Sequence, residues 1–237
     1  MALRRYLAFG LALSLLPLSA CEEKNSPKCK LDCVRAGLCT HKGGACVATG
    51  DEDCARSDGC KTDGRCKAEN GACVAITSAC QGLKSCTERG LCTAVAGVCR
   101  AAEKGDCTRS DACKIDGLCT PKTGVCVAGS DEECKSSKRC VEESRCTLKS
   151  DACDIGSSKD CEMAKDCRAK GLCTFADGRC ALTSSSDCKQ TEKCEVHGEC
   201  TFSGGMCVIG SEADCRKSQD CERKELCGYN EGRCIRM

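Results

Sequence analysis

Thirty-three cysteines run through 237 residues, and their spacing constrains the fold more than any other feature of the chain. Thirty-two of them fall into eight sets of four. The sets are Cys29, Cys33, Cys39 and Cys46; Cys54, Cys60, Cys66 and Cys73; Cys80, Cys86, Cys92 and Cys99; and Cys107, Cys113, Cys119 and Cys126. They continue with Cys134, Cys140, Cys146 and Cys153; Cys161, Cys167, Cys173 and Cys180; Cys188, Cys194, Cys200 and Cys207; and Cys215, Cys221, Cys227 and Cys234. Seven sets share intervals of five, five and six residues; in the first, only three residues separate Cys29 from Cys33. From Cys80 onward the sets recur every 27 residues. Such a fixed period marks a repeat array. Four cysteines can pair fully inside one module. The expected fold class is therefore small disulfide-rich repeats: a tandem array of eight short helix plus β-hairpin modules over residues 29–237, with no single large core.

Composition agrees. Beyond residue 20 the only aromatics are Phe175, Phe202 and Tyr229, and Trp is absent. Modules of this length cannot fold on burial alone. A bridge closing a loop of about 15 residues stabilises by roughly 3 kcal/mol on the chain-entropy model. Disulfides persist only in an oxidising compartment.

Residues 106–128, DCTRSDACKIDGLCTPKTGVCVA, show the module pattern. An acidic residue usually precedes the first cysteine, as at Asp53, Asp106 and Glu133, which suits a helix N-terminus. The stretch up to the second cysteine suits one helix of two to three turns. A Gly two residues before the third cysteine, as at Gly90 and Gly117, suits a left-handed helix stop; Ser144 and Glu225 depart from it. The second half reads as a hairpin around a four-residue loop at 121–124, which sets Thr120 against Val125 and Cys119 against Cys126. That register favours first-to-third and second-to-fourth pairing, although four cysteines admit three pairings. With every bridge internal to a module, contacts between modules are expected to add only modestly. Modules 2 and 4 agree at 13 of 22 positions, which duplication alone explains.

The N-terminus supplies the compartment. Residues 1–20, MALRRYLAFGLALSLLPLSA, carry Arg4 and Arg5 before an apolar run from Leu7 to Leu18. This is the layout of an export signal, too short to span a bilayer. The ending Leu18-Ser19-Ala20-Cys21 resembles the bacterial lipobox. That resemblance implies cleavage before Cys21, a covalent lipid on its thiol and further acylation of the new amine. Residues 21–28 would then be a lipidated tether. Three acyl chains anchor firmly, at about 0.8 kcal/mol per buried methylene. Glu22 stands where an Asp often signals inner-membrane retention in that family, so the outer membrane is favoured.

Several chemistries lack their residues. No Cys-x-x-Cys or Cys-x-Cys occurs, against zinc, iron–sulfur and thioredoxin-type sites. The acidic runs at 51–53 and 131–133 lack the alternating ligands of a calcium loop and read as helix starts. His41 and His197 read as exposed residues in the hairpin halves of two modules. No catalytic set and no metal site are expected, so the chain is read as a non-enzyme without a cofactor apart from its lipid. Past the leader 34 basic residues face 35 acidic ones, which gives no footprint for nucleic acid.

With its lipobox and repeats such as CKIDGLCTPKTGVC, residues 18–237 resemble the Cys-rich repeat lipoproteins of the myxobacterial type. The expected function is that of a membrane-anchored, non-enzymatic cell-envelope binding or scaffold protein, whose partner is a protein or surface polymer. Repetition turns weak contacts into avidity. The alternatives are a multi-headed disulfide-rich protease inhibitor, using the turns at 41–44, 121–124 and 203–205, and a periplasmic thiol buffer.

Overall fold

The structure, a computed structural model, describes residues 23–237. The expected export signal at 1–20 and the expected lipid site Cys21 lie outside the described residues. Eight modules follow one another, each built from short helices and a two-stranded hairpin. The first opens with strand β1 (Glu23–Lys24), a single 3-10 turn (Pro27–Cys29) and helix α1 (Lys30–Ala36). Its hairpin strands are β2 (Thr40–Lys42) and β3 (Ala45–Val47), and β1 joins them as a third strand through Glu23 opposite His41 and Lys24 opposite Thr40. Residues 23–28, expected to belong to a lipidated tether, are folded against the first module. The second module shows the general plan: α2 (Asp51–Ala55), α3 (Asp58–Asp63), β4 (Lys67–Glu69) and β5 (Ala72–Val74).

The single helix expected before the hairpin is two helices. Ser57 breaks it: at φ −75° and ψ 158° its backbone is extended. Its buried hydroxyl accepts from the Cys60 amide at 3.1 Å and donates to the Cys54 carbonyl at 2.8 Å. One side chain thereby closes the first helix and caps the second. Ser110 and Thr191 repeat both bonds, as does Ser218. The helix stop is as expected: Gly90 and Gly117 sit at φ 73° and 74°, and Ser144 and Glu225 hold the same left-handed conformation at φ 62°.

The hairpin loop is shorter than expected. In the fourth module Thr120 opposes Val127, Pro121 opposes Cys126 and Lys122 opposes Val125. Only Thr123 and Gly124 remain as the turn, with φ of 50° and 87°. Positive φ at both positions twists the chain in the sense the strands require, which a four-residue loop need not do. Cys119 therefore precedes the strand and does not face Cys126.

The expected cysteine pairing changes with it. All sixteen bridges are internal to their modules, but they join first to fourth and second to third cysteines. The left-handed residue at the end of the second helix folds the chain back on itself. In the fourth module this places Cys119 beside Cys113, Cα to Cα 4.5 Å. The first helix packs on the hairpin, so Cys107 meets Cys126 on its second strand at 5.5 Å.

Cores are small and straddle the junctions. Ala101 of the third module packs with Cys107 and Cys126 of the fourth, between Leu91 and Leu118. Ala128 packs likewise with Cys134 and Cys153 of the fifth, and Leu118 touches both clusters. The first cysteine of every module is fully buried. Contacts between modules are therefore part of both cores.

Candidate functional site

The junctions between modules are the most elaborated parts of the molecule, and three contacts recur there. The first is a carboxylate clasp. The Thr after the third cysteine donates its hydroxyl to the acidic residue that opens the next module. The pairs are Thr93–Asp106 at 2.8 Å, Thr120–Glu133 at 2.8 Å, Thr147–Asp160 at 2.7 Å, Thr174–Asp187 at 2.7 Å and Thr201–Asp214 at 2.8 Å. Each carboxylate also accepts the backbone N–H four residues before it, as Asp106 does from Ala102 and Glu133 from Gly129. The acidic residue thus caps its own helix and holds the preceding module. At the junction of modules 2 and 3, Lys67 and Ala79 occupy the two positions.

The second contact runs between hairpins. The N–H of Ala48 donates to Gly71 O, Ala75 to Gly97 O, Ala101 to Gly124 O and Ala128 to Asp151 O, at 2.9 to 3.0 Å. All four alanines are buried. A larger side chain there would push the hairpins apart. The third contact is the packing of second helices on one another in a row, α1 on α3 and residues 111–116 on both 84–89 and 138–143. The half-buried ion pair Arg139–Asp116 and the exposed pair Arg168–Glu195 lie along this row. Exposed pairs add little stability.

Two carboxyls have lowered pKa values. Burial pushes Asp187 up, but its bonds from the Thr183 amide, the Thr174 and Thr183 hydroxyls and the Ser184 amide together hold it below the ordinary value. Asp220 is lowered by its hydrogen bonds to His197 and Lys224. His197 thus differs from its expected place. It ends the helix Glu192–His197, and its Nδ1 lies 2.8 Å from Asp220 in the next module. His41 is in the first hairpin, opposite Cys46.

The expected disulfide cysteines are brought together within each module, in the altered pairing. The turns at 41–44, 121–124 and 203–205 are hairpin tips, each closed by a two-residue turn with φ positive at both positions. Among the described residues no group of three or more His, Cys, Asp and Glu is placed to hold a metal, and no helix is long and apolar enough to cross a membrane. Among the described residues, open grooves lie at several junctions. One, of about 530 Å³, is lined by Leu182, Met206, Val208 and Ile209 together with Lys170, Lys193 and Glu199. Sequence reasoning missed the clasps because Thr and acid stand in different modules. The signal was present as a Thr and a carboxylate recurring 13 residues apart.

No family model, curated protein or solved structure matches the chain.

Proposed function

We propose that this chain is a lipid-anchored bacterial envelope protein whose repeat array acts as a non-enzymatic binding or scaffold element. One observation carries the reading. Sixteen bridges use all 32 repeat cysteines, so Cys21 alone is left over, and it stands directly after an export signal ending Leu-Ser-Ala. An unpaired exposed thiol is a liability in an oxidising compartment, whereas a thioether-linked lipid removes it. The outer membrane is the favoured site. The array supports the scaffold part of the reading: its grooves repeat along the row, so a protein or polymer bound weakly at several of them gains avidity.

Replacing Cys21 by Ser tests the anchor. The variant is expected to leave the membrane fraction and to incorporate no labelled palmitate, while its repeats oxidise normally. Unchanged membrane retention would sink the reading. The inhibitor alternative ranks second, because two-residue tips offer little extended backbone for a protease cleft. Stoichiometric inhibition across a protease panel would reverse that order.

A further inference from the structure

The first module differs from the other seven in the exposed apolar surface of its helix and in its closeness to Cys21, and it carries a net positive charge. Residues 23–48 hold five basic and two acidic side chains, whereas residues 49–237 hold 29 basic and 32 acidic ones. The third module, residues 76–101, has a similar excess, three basic to one acidic, but only the excess of module 1 lies beside the anchor. Helix α1 concentrates it. At about 100° per residue, Lys30, Leu31, Val34 and Arg35 share an arc of roughly 140°, and Cys33 points away from it into the module. Leu31 and Val34 are 60% and 55% exposed, more than any other large apolar side chain on a described helix. The position of Leu31 is polar or charged in every other module, from Asp58 to Gln219. Among the described residues Lys28, Lys30 and Arg35 enter no ion pair.

The linker to the anchor is short. Glu23 already pairs with His41, and Ser26 donates to the Glu23 carboxylate at 2.9 Å. Only Glu22 lies between Cys21 and this strand, so the two residue steps allow a Cα separation of about 7 Å at most. A module of this size has a radius of gyration of about 8 Å. A lipid on Cys21 would then hold all of module 1 within reach of the headgroups. There each basic side chain is attracted to an anionic surface over about a Debye length.

We infer that the α1 face of module 1 docks on the anionic phospholipid surface that holds the Cys21 lipid. Leu31 and Val34 enter the interfacial layer, and Lys28, Lys30 and Arg35 meet phosphate groups. The inference rests on the anchor reading and gives the array a fixed base, from which modules 2–8 extend. An amphipathic helix with cations beside its apolar side chains lies in the interface plane in this way.

The test uses the native lipidated protein, reconstituted into vesicles of phosphatidylethanolamine with phosphatidylglycerol and, separately, into phosphatidylcholine. Amide exchange is followed over residues 30–36, with residues 111–116 as the internal reference. Exchange of 30–36 is expected to be about tenfold slower on the anionic vesicles, and 111–116 unchanged. Replacing Leu31 and Val34 together by Glu is expected to abolish the difference, and 0.5 M salt to reduce it. Both side chains are exposed, so the double variant retains its packing. Equal exchange on the two vesicles, with the lipid on Cys21 verified by mass, overturns the docking and leaves the anchor standing. A native chain without that lipid overturns both. Protection that instead grows with protein density and ignores vesicle charge overturns the docking in favour of self-association.

Discussion

Gly90 of the third module lies against the sulfur of Cys126 in the fourth: a Cβ added to it would come within 2.5 Å of Sγ and 2.8 Å of the Asp106 carbonyl. The backbone at Gly90 is left-handed, and so is that of its counterpart in every module. In the first seven modules this residue is buried by the next one, whereas Glu225 in the eighth is exposed. The pattern explains where a long side chain is tolerated. Left-handed φ favours glycine at all eight positions, but space is short only where a module is stacked on it. Ser144, with a small side chain, is the one stacked position that is not glycine.

Gly90→Ala and Gly117→Ala should therefore each destabilise by about 2 kcal/mol or more, combining left-handed strain with the clash against the next disulfide. Glu225→Gly should do the reverse, stabilising by about 1 kcal/mol through relief of strain, because the side chain it removes is exposed to solvent. Chemical denaturation of the oxidised variants measures both signs. Equal effects at Gly90 and Glu225 would mean that the modules do not stack as described.

The clasp between Thr120 and Glu133 offers a second check. Thr120→Val keeps the β-branched shape but removes the donor, and is expected to cost about 1–3 kcal/mol, as for a hydrogen bond to a charged group. In a double-mutant cycle with Glu133→Gln the two residues should couple by about 1 kcal/mol. Additive losses would show that the bond is not formed across the junction. Where Lys67 and Ala79 leave the clasp out, Lys67→Thr with Ala79→Asp should stabilise the second junction.

Acid should loosen the junction between the sixth and seventh modules. The Asp187 carboxyl is held below its ordinary value when folded, so the folded state binds its proton more weakly than the unfolded chain does. That stabilisation is complete above the unfolded value of about 4 and is lost as pH falls through the lowered folded value. Amide protection at Thr183 and Ser184, both donors to Asp187, is expected to hold at pH 5 and decline below about pH 4. In Asp187→Asn the same amides should show weaker protection with no such acid step. A wild-type profile flat down to pH 2 would contradict the assignment.

Much of this architecture was legible in the cysteine and glycine positions. Eight modules, the left-handed stops and the exclusion of one large core all follow from spacing and residue type. The split helix was written at Ser57 and Ser110, whose hydroxyls suit a cap, but a polar residue in a helical stretch also reads as a solvated face. The two-residue turn was plain at Asn70-Gly71 and Asp177-Gly178 and masked at Thr123-Gly124. Taking module 4 as the pattern therefore gave a loop two residues too long and turned the wrong cysteines toward each other. The junctions were least legible, because a Thr in one module and a carboxylate in the next carry no local pattern until the stacking brings them together.

The central claim is that each module is closed by its own two bridges, first to fourth and second to third, and that no disulfide crosses from one module to the next. Cystine-peptide mapping of the native oxidised protein tests it most directly. The predicted result is sixteen bridges in that pairing, with Cys107 linked to Cys126 and Cys113 to Cys119, and no free thiol within residues 29–237. Peptides linking Cys107 to Cys119, or Cys99 to Cys107 across a junction, would contradict it.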